Sequence, residues 1–532
     1  MSVLILVLFV GLFLHDALSA GAAQDQSMLP VLGPISDGWL IPSILAPKLI
    51  IALLFHGFVR RTIRTINDSH DSTALRRLES RGSRLRQLLI ISYLVDLLLL
   101  GGLLRLRAVM GDCILIDEIL IILPPLATTF AMWLSYYPIE ARLRQATFMT
   151  RMERGLPVQI FSRGQYLLAQ LRHQWALMGV PLLLLAGWSE TVQHLLGPRP
   201  RETTQAALLL GGSLTVFLFT PLIMRHIWDT APLPTGEMRD MLLAMCRQHR
   251  VGVRELLLWR TFGGMINGAV MGVVQPLRYI LLTDALLESM PAKQVEAVMA
   301  HELAHVRKHH MFWLLLVAAS SMELLRSAIE WSLLGFFNLS TRGWLSSHMP
   351  EAAIALMRNP DTAPLLALVL SMLAWVFIFG WVSRRFERQA DTFAVQHLAR
   401  EWHEENPTGI SEAEVRRAVY GPPPSPQEIV AAIERGEAPM ILPQAVPPAP
   451  PGSIPREAME MMAGALQNVA DLNYIPTQRK SWRHGSIAWR QGYLRSLVGQ
   501  PIDDTSIDRQ VHLIKWAGFA FLLAAIAINM LR

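Results

Sequence analysis

At 532 residues the chain could hold several soluble domains, yet only 17% of it is charged, against roughly 25% in soluble proteins, and 52% is hydrophobic. The formal net charge of +6 comes from Arg-rich loops between long apolar blocks. Such loops set membrane topology, and no nucleic-acid motif accompanies them, so the expected partner is a lipid bilayer and no nucleic acid. Cys113 and Cys246 form neither a CxxC pair nor a disulfide framework, which sets thiolate and disulfide chemistry aside.

Residues 1–20 join a short apolar run to small residues, the pattern of a signal peptide, but without Lys or Arg at the start; a short uncleaved anchor fits as well. Apolar spans follow at 39–59, 87–105, 115–137, 174–195 and 205–225, each near the roughly 20 residues that cross a bilayer. They predict an N-terminal bundle over 39–225. Arg60, Arg61 and Arg64 close the first span, and Arg76, Arg77, Arg81, Arg84 and Arg86 place the loop behind it in the cytoplasm. The segment 138–173 carries Arg142, Arg144, Arg151, Arg154, Arg163 and Arg172, and by alternation residues 226–310 are cytoplasmic too. Asp96, inside a span, is either a functional carboxylate or one half of a structural hydrogen bond.

Residues 226–310 read as a soluble subdomain, with a turn at Pro232–Gly236 and a helix over Glu237–His249. Short strands are expected at Leu256–Trp259, Met265–Val274 and Arg278–Thr283, rich in apolar residues and broken by Gly and Pro. Next comes His301-Glu302-Leu303-Ala304-His305. On a helix, residues four apart share a face, so both imidazoles can turn to one zinc ion, with Glu302 beside them to handle a water proton. Pro291 suits a helix start, and Val295, Val298, Met299 and Leu303 form an apolar stripe behind the histidines. The helix is expected to run on through His309 and His310 into a span at 311–337. In that span Glu323, Arg326 and Glu330 share one face. They are either intrahelical ion pairs between helices or a polar wall of a water-filled chamber.

A second span at 363–383 completes the pair within 311–383. The helix after it, 384–400, carries Glu387-Arg-Gln-Ala-Asp391. Residues 401–456 form a Pro-rich insertion, 457–512 a returning helical part, and 513–531 a final span. His309, His310, His348 and His397 read as surface histidines.

A zinc hydrolase needs a third protein ligand and one open position. The metzincin pattern is excluded, since Lys308 and Met311 stand where its Gly and His would be. Asn359-Pro360-Asp361 is a faint match to intramembrane zinc proteases, but it lies in a polar loop. Glu387 and Asp391 share one helical face, so a glutamate there can ligate the metal while the aspartate orients a ligating histidine.

HELAH and ERQAD, together with LLWRT, MINGAVMG and PLRYILLTDALLESMPAKQVEAVMAHELAH, resemble the membrane zinc metallopeptidases of the HtpX and CAAX prenyl protease family. The likeness covers about 230–310 and 380–400 and resumes at 464–498, in ALQNVADLNYIPTQRKSWRHGSIAWR. The resemblance implies a mainly α, multi-pass helical membrane protein with an embedded α+β zincin (gluzincin) domain. It implies one zinc ion held by His301, His305 and Glu387, with Glu302 as general base and Asp391 behind the ligands. It also places His484 over the metal as a donor and Arg490 as a brace, unless both are surface residues of a helical tail. SWRHGS departs from the family's usual His-Pro form, and the Pro-rich insertion has no counterpart.

The strand MINGAVMG can serve as an edge for an extended peptide, with Asn267 and Ala269 beside the cleft; alternatively Gly263, Gly264, Gly268 and Gly272 only permit a tight hairpin. The sequence thus predicts a zinc endopeptidase acting on membrane-associated or misfolded proteins, in a cell (inner) membrane with its active site toward the cytoplasm. CAAX-type processing is the alternative within the class. An inactive scaffold or transporter is the alternative outside it.

Overall fold

The computed structural model of the chain describes residues 2–21, 37–69, 73–153, 161–196, 202–261, 265–340, 350, 351, 354, 362–406, 450, 452–503 and 506–530. Most of the Pro-rich insertion, Asn359-Pro360-Asp361, His348, Gly263 and Gly264 lie outside the described residues. The chain divides into two compact units, Met1–Thr230 and Ala231–Arg532.

The helices of the first unit are α1 (Ser2–Gly21), α2 (Asp37–Ser69), α3 (Thr73–Leu94), α4 (Gly102–Met110), α5 (Ile116–Glu153), α6 (Arg163–Gln170), α7 (Ala176–Leu196) and α8 (Glu202–Ile227). Gly38–Asn67, Ile116–Gln145 and Thr203–Ile227 are each long and apolar enough to cross a membrane. The spans predicted at 87–105 and 174–195 fall instead on bent pairs of helices, with angles of 56° and 61°. In both, a π-helical turn comes just before the bend, Val95–Leu99 in one and Leu171–Trp175 in the other. One extra residue in a turn interrupts the hydrogen-bond ladder, and at the first break Gly101 adds a φ of +60°. Asp96 sits in that π-turn, buried against the Lys48 ammonium, which also donates to Ser92 Oγ at 2.7 Å. Its partner is thus an ion pair inside the bundle.

The second unit contains β1 (Thr230–Pro232, through which the unit boundary falls), α9 (Glu237–Gln248), β2 (Glu255–Trp259), β3 (Gly268–Met271), β4 (Tyr279–Thr283), α10 (Asp284–Ser289) and α11 (Ala292–Arg307). Then follow α12 (His310–Ser340), α13 (Thr362–Glu405), α14 (Arg456–Leu472), α15 (Ile487–Arg495) and α16 (Ser506–Met530). His310–Ser340, Leu366–Glu405 and Ser506–Ile528 are the further helices fit to cross a membrane, and the chain is a mainly α, multi-pass membrane protein.

The sheet order is β1-β2-β4-β3, with β2 parallel and β3 antiparallel to β4. All five residues of β4 are buried, as expected of a strand flanked on both edges and covered on both faces. β3, by contrast, is an edge. The core behind the sheet joins Leu256, Ile280 and Leu282 to Val295, Met299 and Leu303 of α11, Val395 and Leu398 of α13, and Met462 and Leu466 of α14. Residues 295, 299 and 303 are each four apart, so one stripe of α11 is fully buried and the helix is held as a rigid element.

α11 does not run on into the next span. It ends at Arg307; Lys308 N and His309 N close the turn on Ala304 O and Val306 O, and His309 takes a φ of +57°. A left-handed residue terminates a helix, and α12 starts afresh at His310. The break corrects a second expectation: His310 is 2% exposed and turned inward. On α13 His397 is not a surface residue either, being 1% exposed between His249 and Glu296. Only His309 of these three stays on the surface. In α12 the guanidinium of Arg326 bonds both carboxylates, Nη2 reaching Glu323 and Nη1 reaching Glu330 at 2.7 Å each, so the stripe consists of intrahelical ion pairs.

Candidate metal centre

α11 supplies two imidazoles and α13 two carboxylates. His301 Nε2 and His305 Nε2 face each other at 3.4 Å. Two nitrogens each about 2.0–2.1 Å from a tetrahedral zinc ion lie about 3.3–3.4 Å apart, so the pair already has the spacing a shared zinc requires. The carboxylate of Glu387 closes the set, with Oε2 3.6 Å from His301 Nε2 and Oε1 3.9 Å from His305 Nε2. All three residues offer atoms within 4.8 Å of one another, and the donor set, two imidazoles and one carboxylate, suits zinc.

Asp391, one turn beyond Glu387 on α13, is fully buried, and its Oδ1 lies 2.9 Å from His301 Nδ1. The contact is close, although its angle falls short of a hydrogen bond. Asp391 is in turn gripped by Arg490 of α15, whose Nε donates to Oδ2 at 2.8 Å and whose Nη2 donates to Oδ1. Arg490 Nη1 also stands 3.9 Å from Glu387 Oε2. Arg490 is therefore a buried residue of the centre.

His484 lies in a turn between α14 and α15, closed by Gly485 N on Ser481 O at 3.0 Å. Gly485 has a φ of +76°, which glycine adopts without strain. The Trp482 indole pins this turn to α13, donating to Val376 O at 2.8 Å and stacking on Phe379 at 5.2 Å. Held there, His484 Nδ1 reaches Glu387 Oε1 at 2.9 Å while half its side chain stays exposed. The turn, with residues 473–486, is not helical, in contrast to the helical tail that the aromatic pattern suggests.

The centre opens into a cavity of about 750 Å³. Its walls include His301, Glu302, His305 and Glu387, the turn carrying His484, and Asn267, Gly268 and Val270 of the β3 edge. Ala269 does not border it. A Cβ on Gly268 would lie 3.1 Å from Val298 Cγ1 and 3.6 Å from Glu302 Cγ, so a glycine there lets the strand approach the helix beside Glu302.

Charges in the centre are strongly coupled to their surroundings. Burial works to lower the pKa of His301, but Asp391 and Glu387 outweigh it and raise the group to about 10. Burial lowers His305 to about 4. Burial, aided by the Glu387 charge, pushes Glu302 up to about 7, the range of a group that takes and returns protons near neutrality. The field at the junction of His301 and Glu387 favours a positive charge, as a cation site should.

Sequence reasoning missed three residues behind His305: His310, Gln389 and Asp508. His310 Nδ1 lies 3.0 Å from His305 Nδ1. It escaped notice because its approach depends on the helix break at His309, and His309 is not a glycine that would mark one. The contact of Gln389 with Asp508 spans 119 positions, beyond any periodicity.

The sequence profile of "Peptidase family M48" matches residues 264–409. No curated protein matches the chain. Among solved structures, the crystal structure of S. mikatae Ste24p aligns over 87% of this chain and 99% of that one, with 15% identity and a TM-score of 0.38, below the level at which two chains share a fold. The profile match takes in both the HExxH helix and the Glu387–Asp391 turn, and by this segment the chain resembles peptidase family M48.

Proposed function

We propose that the chain is a zinc-dependent membrane endopeptidase whose metal is held by His301, His305 and Glu387. The observation that carries this reading is the 3.4 Å approach of the two Nε2 atoms with Glu387 in reach, at the wall of a cavity that also holds Glu302. Zinc bound there supplies Lewis acidity toward a scissile carbonyl and toward water. Glu302 takes a proton from the attacking water and delivers it to the leaving amine nitrogen. Asp391 orients His301 through Nδ1, and Arg490 holds Asp391 in place through its two-pronged contact. The Nδ1–H of His484, which lies 2.9 Å from Glu387 Oε1 at the cavity wall, is the donor offered to the carbonyl oxygen as it gains charge.

An extended peptide adds to β3, the outer strand of the sheet among the described residues, beside the cavity wall formed by Asn267, Gly268 and Val270, so main-chain hydrogen bonds set its register. The preferred substrates are membrane-associated or misfolded proteins. Support comes from the position of the centre: the metal helix is joined to a membrane-spanning helix through only two residues, so bonds close to the bilayer surface come within reach. The Arg-rich loops orient this face toward the cytoplasm.

The test is Glu302→Gln in the purified full chain. Glu302 is not a ligand, so the variant should keep stoichiometric zinc and lose nearly all peptidase activity; near-normal turnover would refute the assignment. Proteomics on membranes carrying either form would then identify the peptides that accumulate.

A further inference from the structure

Both ring nitrogens of His310 are engaged, and the direction of each hydrogen bond follows from chemistry. At the far end, Asp508, in the first turn of α16, can only accept, so the Gln389 amide turns its NH2 to Asp508 Oδ1. Lys308 Nζ lies 3.1 Å from the same oxygen and donates to it as well. Gln389 Oε1 therefore faces His310 Nε2 at 2.8 Å, and an amide oxygen can only accept, so Nε2 carries the hydrogen. A neutral imidazole with its hydrogen on Nε2 has a bare Nδ1. That bare Nδ1 lies 3.0 Å from His305 Nδ1, which must then be the donor. The lone pair of His305 is left on Nε2, the atom 3.4 Å from His301 Nε2.

We infer that Asp508, Gln389 and His310 form a directional hydrogen-bond relay that fixes the tautomer of His305 and aims its Nε2 lone pair at the metal. The relay rests on the zinc reading above and adds a positioning role for three residues on three helices, α16, α13 and α12. It is built differently from the support of His301, whose Nδ1 faces a carboxylate backed by an arginine. His305 is instead backed by a neutral chain, and the anion is two residues further off. His310 is not a fourth ligand, since its nitrogens point to His305 and to Gln389. Its ring is fixed by a stack on Phe386, with centroids 4.7 Å apart and planes at 17°. The break at His309 gives the relay its geometry: an uninterrupted helix would place residue 310 about 140° around the axis from residue 305.

The test compares wild type with His310→Phe and His310→Asn in the full chain. Phenylalanine keeps the stack on Phe386 and removes the acceptor; asparagine restores an acceptor oxygen close to where Nδ1 was. Zinc affinity is read by competition with a chromophoric chelator, and the melting temperature of the metal-free proteins serves as a fold control. The relay predicts that His310→Phe binds zinc roughly 10–100-fold more weakly, the usual cost of losing a group behind a ligand, at an unchanged melting temperature. It also predicts that His310→Asn recovers most of that loss. In 15N-histidine-labelled metal-free wild type, His305 should carry its hydrogen on Nδ1 and His310 on Nε2. Equal zinc affinity in wild type and His310→Phe, or the opposite tautomers, overturns the relay and leaves the zinc centre standing. Failure of wild type itself to bind zinc overturns both.

Discussion

Arg490 and Asp391, 99 positions apart, meet side by side, with Arg490 Nε 2.8 Å from Asp391 Oδ2 and Nη2 on Oδ1. Both are buried, and the same Oδ1 stands 2.9 Å from His301 Nδ1. A carboxylate in such a place survives only because the planar guanidinium answers both of its oxygens at once.

Removing the guanidinium therefore leaves an uncompensated buried charge. Arg490→Leu should lower stability by about 3–5 kcal/mol and weaken zinc binding, measured by thermal unfolding and chelator competition. Arg490→Lys should recover the charge but not the two-pronged geometry, and only part of the zinc affinity. A Lys variant equal to wild type in both measurements would mean that charge alone suffices.

The β3 edge depends on a glycine just past its end. Gly272 has a φ of +100°, and a Cβ there would lie 2.2 Å from Leu277 O. Gly272→Ala should cost about 1–3 kcal/mol of stability. If the edge binds substrate, it should also raise KM more than it lowers kcat, because the edge fixes register and performs no chemistry. A variant with wild-type melting temperature and KM would show that the turn tolerates a side chain.

On the far side of α11, Glu296 is 3% exposed and meets His397 Nε2 at 3.2 Å and Lys293 Nζ at 3.4 Å, with Glu401 also bonded to it. Burial would raise its pKa, but these partners win and hold it below the ordinary carboxylate range. A folded-state pKa below the unfolded one stabilises the protein fully above the unfolded value, about 4.3, and that stability is lost as pH falls through the folded value. Glu296→Gln should thus melt earlier at pH 7, by about 1.5–3 kcal/mol, and the gap should narrow as pH falls below about 4. A constant gap down to about pH 3 would show that the loss comes from packing and not from charge.

The parts of this centre that could be read from sequence are those that follow helical spacing. His301 and His305 are four apart, as are Glu387 and Asp391, and each pair shares a face whatever the rest of the fold does. The strands around Leu256–Trp259 and Tyr279–Thr283 were legible because short β-rich runs are bounded by turn residues. His310 was not legible, because a non-glycine residue at φ +57° breaks the helix before it. His397 was not either: its partner His249 is 148 positions away, and a lone histidine on a charged helix reads as a surface residue. The bends at Val95–Leu99 and Leu171–Trp175 were hidden because hydropathy measures the length of a span and not its straightness.

His484 is the residue on which the chemistry can be tested most directly. A zinc ion held as proposed would polarise the carbonyl oxygen, and a second donor there would lower the barrier further; loss of one such donor costs roughly 10²–10³ in kcat. Its turn is held to α13 at three points: the Trp482 indole on Val376 O, the Trp482 ring on Phe379, and Arg384 Nη1 on Trp482 O at 2.9 Å. These contacts bring Nδ1 to Glu387 and leave the rest of the ring at the cavity wall. His484→Ala should keep stoichiometric zinc and a normal melting temperature while losing on the order of a hundredfold in kcat. Trp482→Ala, which loosens the turn without touching the ring, should show a smaller loss of the same kind. Parallel loss of zinc and kcat in His484→Ala would mean that the histidine acts only by holding Glu387. An unchanged kcat would remove the turn from the chemistry and leave the donor to be sought elsewhere in the cavity wall.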